Sequence, residues 1–249
     1  MTGFPWLPPN HSAHGPVLDQ MLGWVHWLML ALFVGWGAYF IYALFRFRKG
    51  KNPKASYTGF HNHKFSLFHE SAVAIVEIIL LVGFAFPLWA KVKTQPPPDE
   101  SAAVHVHVVG EQFAWNIHYP GADGVFGRRD IKLVNSGNPL GLDRTDPAAR
   151  DDVTTINQLH LPVNQMTLIQ LSTKDVIHSF FLPVMRVKQD AIPGVQIPVW
   201  FEPVVAGKSE IACAQLCGLG HYRMRGFLEV HDADGYQKWM DAQVAEIPK

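Results

Sequence analysis

The chain has 249 residues, with 21 acidic residues against 21 lysines and arginines. That length suits one or two domains. Residues 1–98 hold three acidic residues against eight basic ones, whereas residues 99–249 hold 18 against 13, a net charge of −5. The C-terminal part therefore has no basic patch, which excludes nucleic acid as a partner. The uneven charge favours a membrane-associated N-terminal part joined to an acidic part that suits a basic partner.

The N-terminal part contains a first predicted membrane span. Residues 1–18 have no positively charged n-region, so they are not expected to be a cleaved signal peptide. Residues 22–45 carry no Asp, Glu, Lys or Arg, and the run is long enough to cross a bilayer. A basic cluster follows it, formed by Arg46, Arg48, Lys49, Lys51 and Lys54. By the positive-inside rule this loop is cytoplasmic and the N-terminus lies outside.

Residues 66–89 form the second predicted span, which is apolar apart from Glu70 and Glu77. Acids at membrane depth are costly and mark a proton or ion pathway or a buried contact. Glu70 lies near the cytoplasmic end, where a solvated helix end is the alternative, and Glu77 is expected to face another protein subunit. Prolines 96–98 form a stiff spacer, so we predict a membrane anchor at 1–98 and a second domain at 99–249.

The second domain is predicted to consist of short strands and turns. Alternating and short apolar runs indicate strands at 104–109, 113–119, 131–134, 167–171, 195–201, 209–212 and 227–230. Many short strands are typical of a sandwich or barrel. Residues 137–152 are predicted to be a loop insertion and 234–245 a terminal helix. His105 and His107 share one face of the first strand; they could bind a metal, but solvent-facing histidines are the favoured alternative.

A loop near the C-terminus carries the metal chemistry. It contains the two cysteines of the chain, Cys213 and Cys217, followed by His221 and Met224. Thiolate, imidazole and thioether are ligands that copper prefers, and two thiolates from one loop can bridge two metal ions. A disulfide or a zinc site is the alternative, although zinc favours closer cysteine spacing and rarely uses Met. His178 is the best candidate for a further ligand, and His160 is its rival.

The motifs of the second domain match a known family. The matching stretches are residues 157–162, 174–183, 186–194 and 213–224, with Cys-x₃-Cys-x₃-His-x₂-Met following Asp-Val-Ile-His. The chain resembles subunit II of haem-copper oxidases, of the cytochrome c oxidase type with a binuclear CuA centre. The resemblance implies two N-terminal transmembrane helices followed by an all-β cupredoxin-like Greek-key sandwich with a short C-terminal helix. It implies that two copper ions are bound by His178, Cys213, Cys217, His221, Met224 and the backbone carbonyl of Gln215.

The sequence departs from the family pattern in two places. Gln215 replaces a Glu that reaches Mg²⁺ or Mn²⁺ at the interface with subunit I, and a neutral amide oxygen is a weaker ligand for a hard cation. Phe113 replaces the first Trp of Gln-Trp-x-Trp, the electron-entry residue, while Trp115 matches the second. The family also implies a proton role for a Glu of the second span; Glu70 is preferred to Glu77, although the usual Trp-Thr-x-x-Pro is absent.

The function implied by the resemblance is that of subunit II of a proton-translocating terminal oxidase in the bacterial inner membrane. The chain would accept electrons from cytochrome c or a similar donor and pass them to haem in subunit I, with other oxidase subunits as further partners. Its N-terminus and second domain would lie in the periplasm. Asp175 and Asp190 either dock a basic donor or are ordinary loop acids. The alternatives are the CuA subunit of a nitric oxide reductase and a membrane-anchored copper-binding or copper-delivery protein.

Overall fold

The computed structural model describes residues 7–51, 57, 62–94 and 101–247. It confirms the predicted fold class: two long apolar helices precede a sandwich of two β-sheets, and a short helix follows. Lys54 and the proline spacer at 96–98 lie outside the described residues. The chain divides into two compact units, one made of the two long helices and one made of the sandwich.

The helical unit consists of α1 (Gly15–Arg46) and α2 (His63–Lys93), both long and apolar enough to cross a membrane. Trp24 of α1 and Phe84 of α2 make an edge-to-face contact, with ring centroids 5.5 Å apart. In α2 the hydrogen bonds lengthen to an i→i−5 pattern over Ile79–Ala85, and the N–H of Phe86 bonds to the carbonyl of Leu81. Pro87 lies just beyond and has no N–H to donate, which explains the wider turn.

The sandwich contains ten strands in two sheets. They are β1 (Val104–Glu111), β2 (Ala114–Tyr119), β3 (Val153–Ile156), β4 (Gln158–Pro162), β5 (Thr167–Thr173), β6 (His178–Leu182), β7 (Val187–Ala191), β8 (Ile197–Phe201), β9 (Gly207–Cys213) and β10 (Arg225–His231). One sheet has the order β3-β2-β1-β5-β8 and the other β4-β10-β9-β6-β7. The β1–β5 and β4–β10 pairs are parallel, and the remaining pairs are antiparallel.

Alternate side chains from the two sheets fill the core, as the strand period of two requires. Val106 and Val108 of β1 are fully buried between the sheets. Trp115 of β2 contacts Phe180 of β6 across the core, with ring centroids 5.4 Å apart. A final helix, α3 (Ala233–Ala245), is capped by Asp232, whose side chain accepts a hydrogen bond from the N–H of Gly235. It places Trp239 against the ring of Tyr119.

Residues 7–14, which we expected to be part of the anchor, group with the sandwich unit. His11 donates its N–H to the carbonyl of Val184 at 2.8 Å and accepts one from Val204 at 2.8 Å. Ser12 is buried, and its hydroxyl donates to the carbonyl of Met185 at 2.8 Å. These backbone pairings give the segment a defined place at the edge of the sandwich.

Two of the predicted details of the sandwich need correction. The predicted strand at 131–134 is wrong, because Ile131–Leu133 forms a single 3₁₀ turn capped by Asp130, and Ile131 is 86% exposed. This apolar run has no core to face, so alternation misled the prediction. Strands β3, β4 and β7 were not predicted: β7 is polar, and the other two are short and end beside a loop or a proline.

His107 does not face open solvent, contrary to the favoured expectation. Its ring stacks on Phe126 of the 120–152 loop, with centroids 3.7 Å apart and planes at 8°. It also contacts the edge of His118, which bonds through Nε2 to Asp152 at 2.6 Å. Burial, with a contribution from the charge of Arg129, lowers the pKa of His107 to about 3. The ring is therefore neutral in the folded protein.

Acidification is expected to destabilise the sandwich through His107. The unfolded chain takes up a proton near pH 6.5, whereas the folded His107 does so only near pH 3. The free energy of unfolding is therefore unaffected by His107 above about pH 6.5 and decreases as the pH is lowered. At pH 5 the decrease is about 1–2 kcal/mol after allowing for the partial exposure of the ring. Denaturant unfolding at pH 7 and pH 5 measures it. His107→Gln should flatten the difference and His105→Gln should not; an unchanged difference in His107→Gln would contradict it.

Candidate metal centre

Antiparallel strands bring the predicted ligands to one end of the second sheet. His178 begins β6, and Cys213 ends the neighbouring strand β9, where it pairs with Phe180. The loop from Ala214 to Met224 then returns to β10 and carries the other donors. His178 and Cys213 are 35 residues apart in sequence, yet the β6–β9 pairing places them side by side.

The two cysteines form the middle of the cluster. Their Sγ atoms lie 3.8 Å apart. Each is next to one histidine: Nδ1 of His178 lies 3.9 Å from Cys213 Sγ, and Nδ1 of His221 lies 3.6 Å from Cys217 Sγ. A disulfide needs sulfurs about 2.05 Å apart, and both cysteines are free.

The two weaker donors also join the cluster. Met224 Sδ lies 3.7 Å from Cys217 Sγ, and the carbonyl oxygen of Gln215 lies 3.2 Å from Cys213 Sγ. All of the donors predicted for the copper site are thus brought together. The set has six donors, one of them a thioether, whereas structural zinc takes four ligands from Cys, His, Asp and Glu. Thiolate, imidazole and thioether together fit copper.

Asp175 and Gln112 hold the cluster in place, and sequence reasoning did not assign either to this role. Asp175 Oδ1 lies 2.9 Å from His178 Nε2, which leaves Nδ1 of the ring to face the sulfur atoms. Its other oxygen accepts the N–H of Gln112 at 2.7 Å, and the Gln112 side chain donates to the carbonyl of Cys217 at 2.7 Å. A carboxylate behind a ligand histidine fixes the tautomer and orientation of the ring. The Asp-x-x-His spacing is the one signal in the sequence for the contact between Asp175 and His178.

The two thiols differ in acidity. Burial raises the pKa of Cys213, but hydrogen bonding to His178 and to the backbone of Ser179 outweighs it, so the pKa is lowered overall. Burial and the neighbouring Cys213 both raise the pKa of Cys217. Cys213 is therefore the more acidic of the two thiols, and metal binding would release the protons that the pair still holds.

The two aromatic residues proposed for electron entry lie in different environments. Trp115 is fully buried, with its ring centroid 5.9 Å from that of His178. Its Nε1 has no hydrogen-bond partner in the part of the chain that the structure describes. Phe113 is half-buried and covers the loop so closely that a Cβ on Gly220 would overlap its ring. Of the two, Phe113 is the one with access to the surface.

The remaining candidates lie outside this cluster. His160 joins a different group with His231, whose Nε2 lies 2.8 Å from its Nδ1. Glu70 accepts a hydrogen bond from the hydroxyl of Ser66 at 2.6 Å near the start of α2, and Glu77 lies exposed on the same helix. Asp190 lies within β7. His105 and His107 belong to no group of metal-ligating side chains among the described residues.

The loop around the cluster exposes several large apolar side chains. Leu216, Leu219 and Tyr222 are 75%, 96% and 86% exposed. Large exposed apolar patches mark surfaces that bind a protein or a membrane. The cluster thus lies beside a surface suited to a partner.

Two helices apolar enough to span a membrane precede a sandwich that has a cluster of sulfur and imidazole donors at one end. This arrangement is typical of a membrane-anchored, metal-binding class of protein. Residues 104–230 match the family described as cytochrome c oxidase subunit II, periplasmic domain. The chain belongs to the cytochrome c oxidase subunit II family.

Individual relatives agree with that assignment. The alternative cytochrome c oxidase subunit 2 of Bradyrhizobium diazoefficiens is 30% identical over 241 residues, which cover 96% of this chain and 84% of that one. Cytochrome c oxidase subunit 2 of Cereibacter sphaeroides is 29% identical, covering 94% and 80%. Among solved structures, the periplasmic domain of subunit II of cytochrome oxidase of Bradyrhizobium japonicum matches with a TM-score of 0.44 and 27% identity, covering 59% of this chain and 98% of that one. By its family and these sequence relatives, the chain is a membrane-anchored subunit of a haem-copper oxidase complex.

Proposed function

We propose that the chain accepts single electrons at a pair of copper ions and passes them to haem in subunit I, where oxygen is reduced to water. The observation that carries this proposal is the convergence of two thiolates, two imidazoles, a thioether and a carbonyl at one end of the sandwich. That donor set suits copper ions that change oxidation state without a change of ligands. Coupling of the reaction to proton translocation belongs to the same proposal.

The protein's contribution is to hold these donors rigidly. Two copper ions bound there would supply one-electron transfer between a donor protein and haem. Cys213 and Cys217 would hold both ions, His178 and His221 one each, and Met224 and the Gln215 carbonyl would bind weakly. His178 is fully buried and Met224 nearly so, which excludes water from the inner side. Asp175 keeps His178 in one tautomer and orientation.

The surroundings of the site suit two protein partners. The net charge of −5 on residues 99–249 favours a basic donor such as cytochrome c, with Asp175 and Asp190 as candidate docking residues and Phe113 as the aromatic entry point. The exposed apolar side chains of Leu216 and Leu219 would be covered by another oxidase subunit. Gln215 is exposed, so a Mg²⁺ or Mn²⁺ ion beside it would have only an amide oxygen.

The membrane part completes the proposal. The basic cluster after α1 supports a cytoplasmic connection between the helices. Both the N-terminus and the sandwich would then lie in the periplasm, at a bacterial inner membrane. Glu70 would then lie at the cytoplasmic end of α2 as the candidate for a proton path, and Glu77 would face a neighbouring subunit. The relatives named above are oxidase subunits, which does not favour the nitric oxide reductase or copper-delivery alternatives.

The copper content of the purified full chain tests the proposal. After reconstitution and removal of loosely bound metal, we expect two copper atoms per chain and an electron paramagnetic resonance spectrum in which one unpaired electron is shared by both nuclei. The control is His105→Asn, which removes an imidazole that belongs to no metal-ligating group among the described residues and should leave the copper count unchanged. One copper per chain, or the spectrum of a mononuclear site, would contradict the proposal.

A further inference from the structure

A second group of metal-ligating side chains lies on the same sheet, away from the loop that runs from Cys213 to Met224, which we call the cysteine loop. Its members are His160 of β4 and Glu229 and His231 of β10, and one ligand atom from each lies within 4.8 Å of the others. We propose that these three side chains form a second binding site, for a divalent transition metal of the zinc class.

The fold places the three side chains on one face. Strands β4 and β10 are parallel neighbours, and His160 is paired in register with Glu229. His231 lies two residues after Glu229 on the same strand, so both side chains point to the same side of the sheet. Three ligands thus come from a rigid two-strand platform, which holds ligand geometry better than loops do.

The distances require little change for a metal to enter. Nδ1 of His160 and Nε2 of His231 lie 2.8 Å apart, so the two rings share one proton. Zinc binds imidazole nitrogen at about 2.0–2.1 Å, which places two tetrahedral nitrogen ligands about 3.3 Å apart. The rings would separate by about half an ångström and turn so that both nitrogens face the cation, which would take the place of the shared proton. Two histidines and one glutamate are a common protein ligand set for zinc, with the fourth position left to water.

The surroundings support a cation at this point. Lys208 Nζ already lies 3.0 Å from Glu229 Oε2, although the lysine side chain is 77% exposed. A positive charge is therefore held beside the carboxylate by a group that a metal can displace. On the other side, Trp239 of α3 stacks on His160, with centroids 4.2 Å apart and planes at 10°, and fixes the orientation of the ring. His160 is 9% exposed and the other two residues are half-buried, so the site is sheltered but can be reached from solvent.

Zinc binding to the full chain in detergent, with its copper already loaded, tests this site. Equilibrium dialysis followed by elemental analysis should give one zinc per chain in addition to copper. His231→Asn and Glu229→Gln should each weaken zinc binding at least tenfold. His105→Asn, which removes a strand histidine outside the group, should leave it unchanged. Absence of stoichiometric zinc in the parent chain, or equal zinc affinity in His231→Asn, would overturn the proposal.

Two further variants distinguish zinc held by these three side chains from zinc held by the cysteine loop. Lys208→Met removes the competing cation while leaving all three ligands, so zinc should bind several-fold more tightly; unchanged or weaker binding would count against Glu229 as a ligand. Cys217→Ser disrupts the cysteine loop and should leave the zinc site intact. If Cys217→Ser abolished the bound zinc, the ion would belong to the cysteine loop, and the second site would be refuted without bearing on the copper proposal.

Discussion

Replacement of Cys217 by serine is expected to prevent binding of the proposed copper pair and to slow the proposed electron transfer from cytochrome c to haem by at least about 100-fold. Cys217 Sγ lies in the middle of the cluster, with Cys213 Sγ, His221 Nδ1 and Met224 Sδ at 3.6–3.8 Å. A serine hydroxyl is a hard donor that stays protonated, so it cannot replace a thiolate shared by two soft ions. The remaining donors would at most retain a single copper.

Copper content and single-turnover haem reduction in the assembled complex measure this effect. Gln215→Ala is the matched control in the same loop. The Gln215 side chain is exposed, and only its carbonyl approaches Cys213, so the alanine variant keeps the donor. It should retain both coppers and nearly full electron transfer. A Cys217→Ser chain that still held two coppers, or a Gln215→Ala chain that lost them, would contradict the assignment of ligands.

The donors that the structure brings together could be predicted from sequence because most of them are local. Cys213, Cys217, His221 and Met224 follow one another in a single loop, and their spacing alone indicates a soft metal. His178 needed an additional signal, the apolar and aromatic residues after it. The structure brings it to Cys213 through the pairing of β6 with β9.

The contacts of Gln112 could not be predicted, because they join segments that are distant in sequence, whereas Asp175 lies only three residues before His178. Gln112 reaches Asp175 across 63 residues and Cys217 across 105 residues. No spacing in the sequence encodes such a contact. The same holds for His160 and His231, which become neighbours only because β4 and β10 pair in parallel.

The sandwich shows where local pattern succeeds and where it fails. Strands with buried alternating residues, such as β1 and β5, were predicted within a few residues of their observed bounds. The run at 131–134 also alternates apolar and polar residues, but it lies on the surface of the domain. There the alternation carries no information about strand pairing. Composition identifies a strand only where a core lies on one side of it.

The largest effect on stability is expected from Trp115→Ala, which should lower the free energy of unfolding of the sandwich by about 3–5 kcal/mol. Trp115 is fully buried between the sheets, and its ring contacts those of Phe180 and His178. Its removal leaves a cavity at the centre of the core and withdraws the packing that holds His178 at the metal cluster. The copper spectrum should therefore change together with the stability.

Two variants show that this effect comes from packing. Trp115→Phe should cost much less, because the smaller side chain still fills most of the space with an aromatic ring, and the lost Nε1–H has no partner among the described residues. Trp200→Ala, on the edge strand β8 where the side chain is half-buried, is the matched control and should cost less than Trp115→Ala. Denaturant unfolding of the three variants measures the difference. Equal losses in the free energy of unfolding for Trp115→Ala and Trp200→Ala would contradict the prediction, because the core around His178 would then have repacked to fill the cavity. In that case Asp175 and the β6–β9 pairing, and not Trp115, would hold His178 in position.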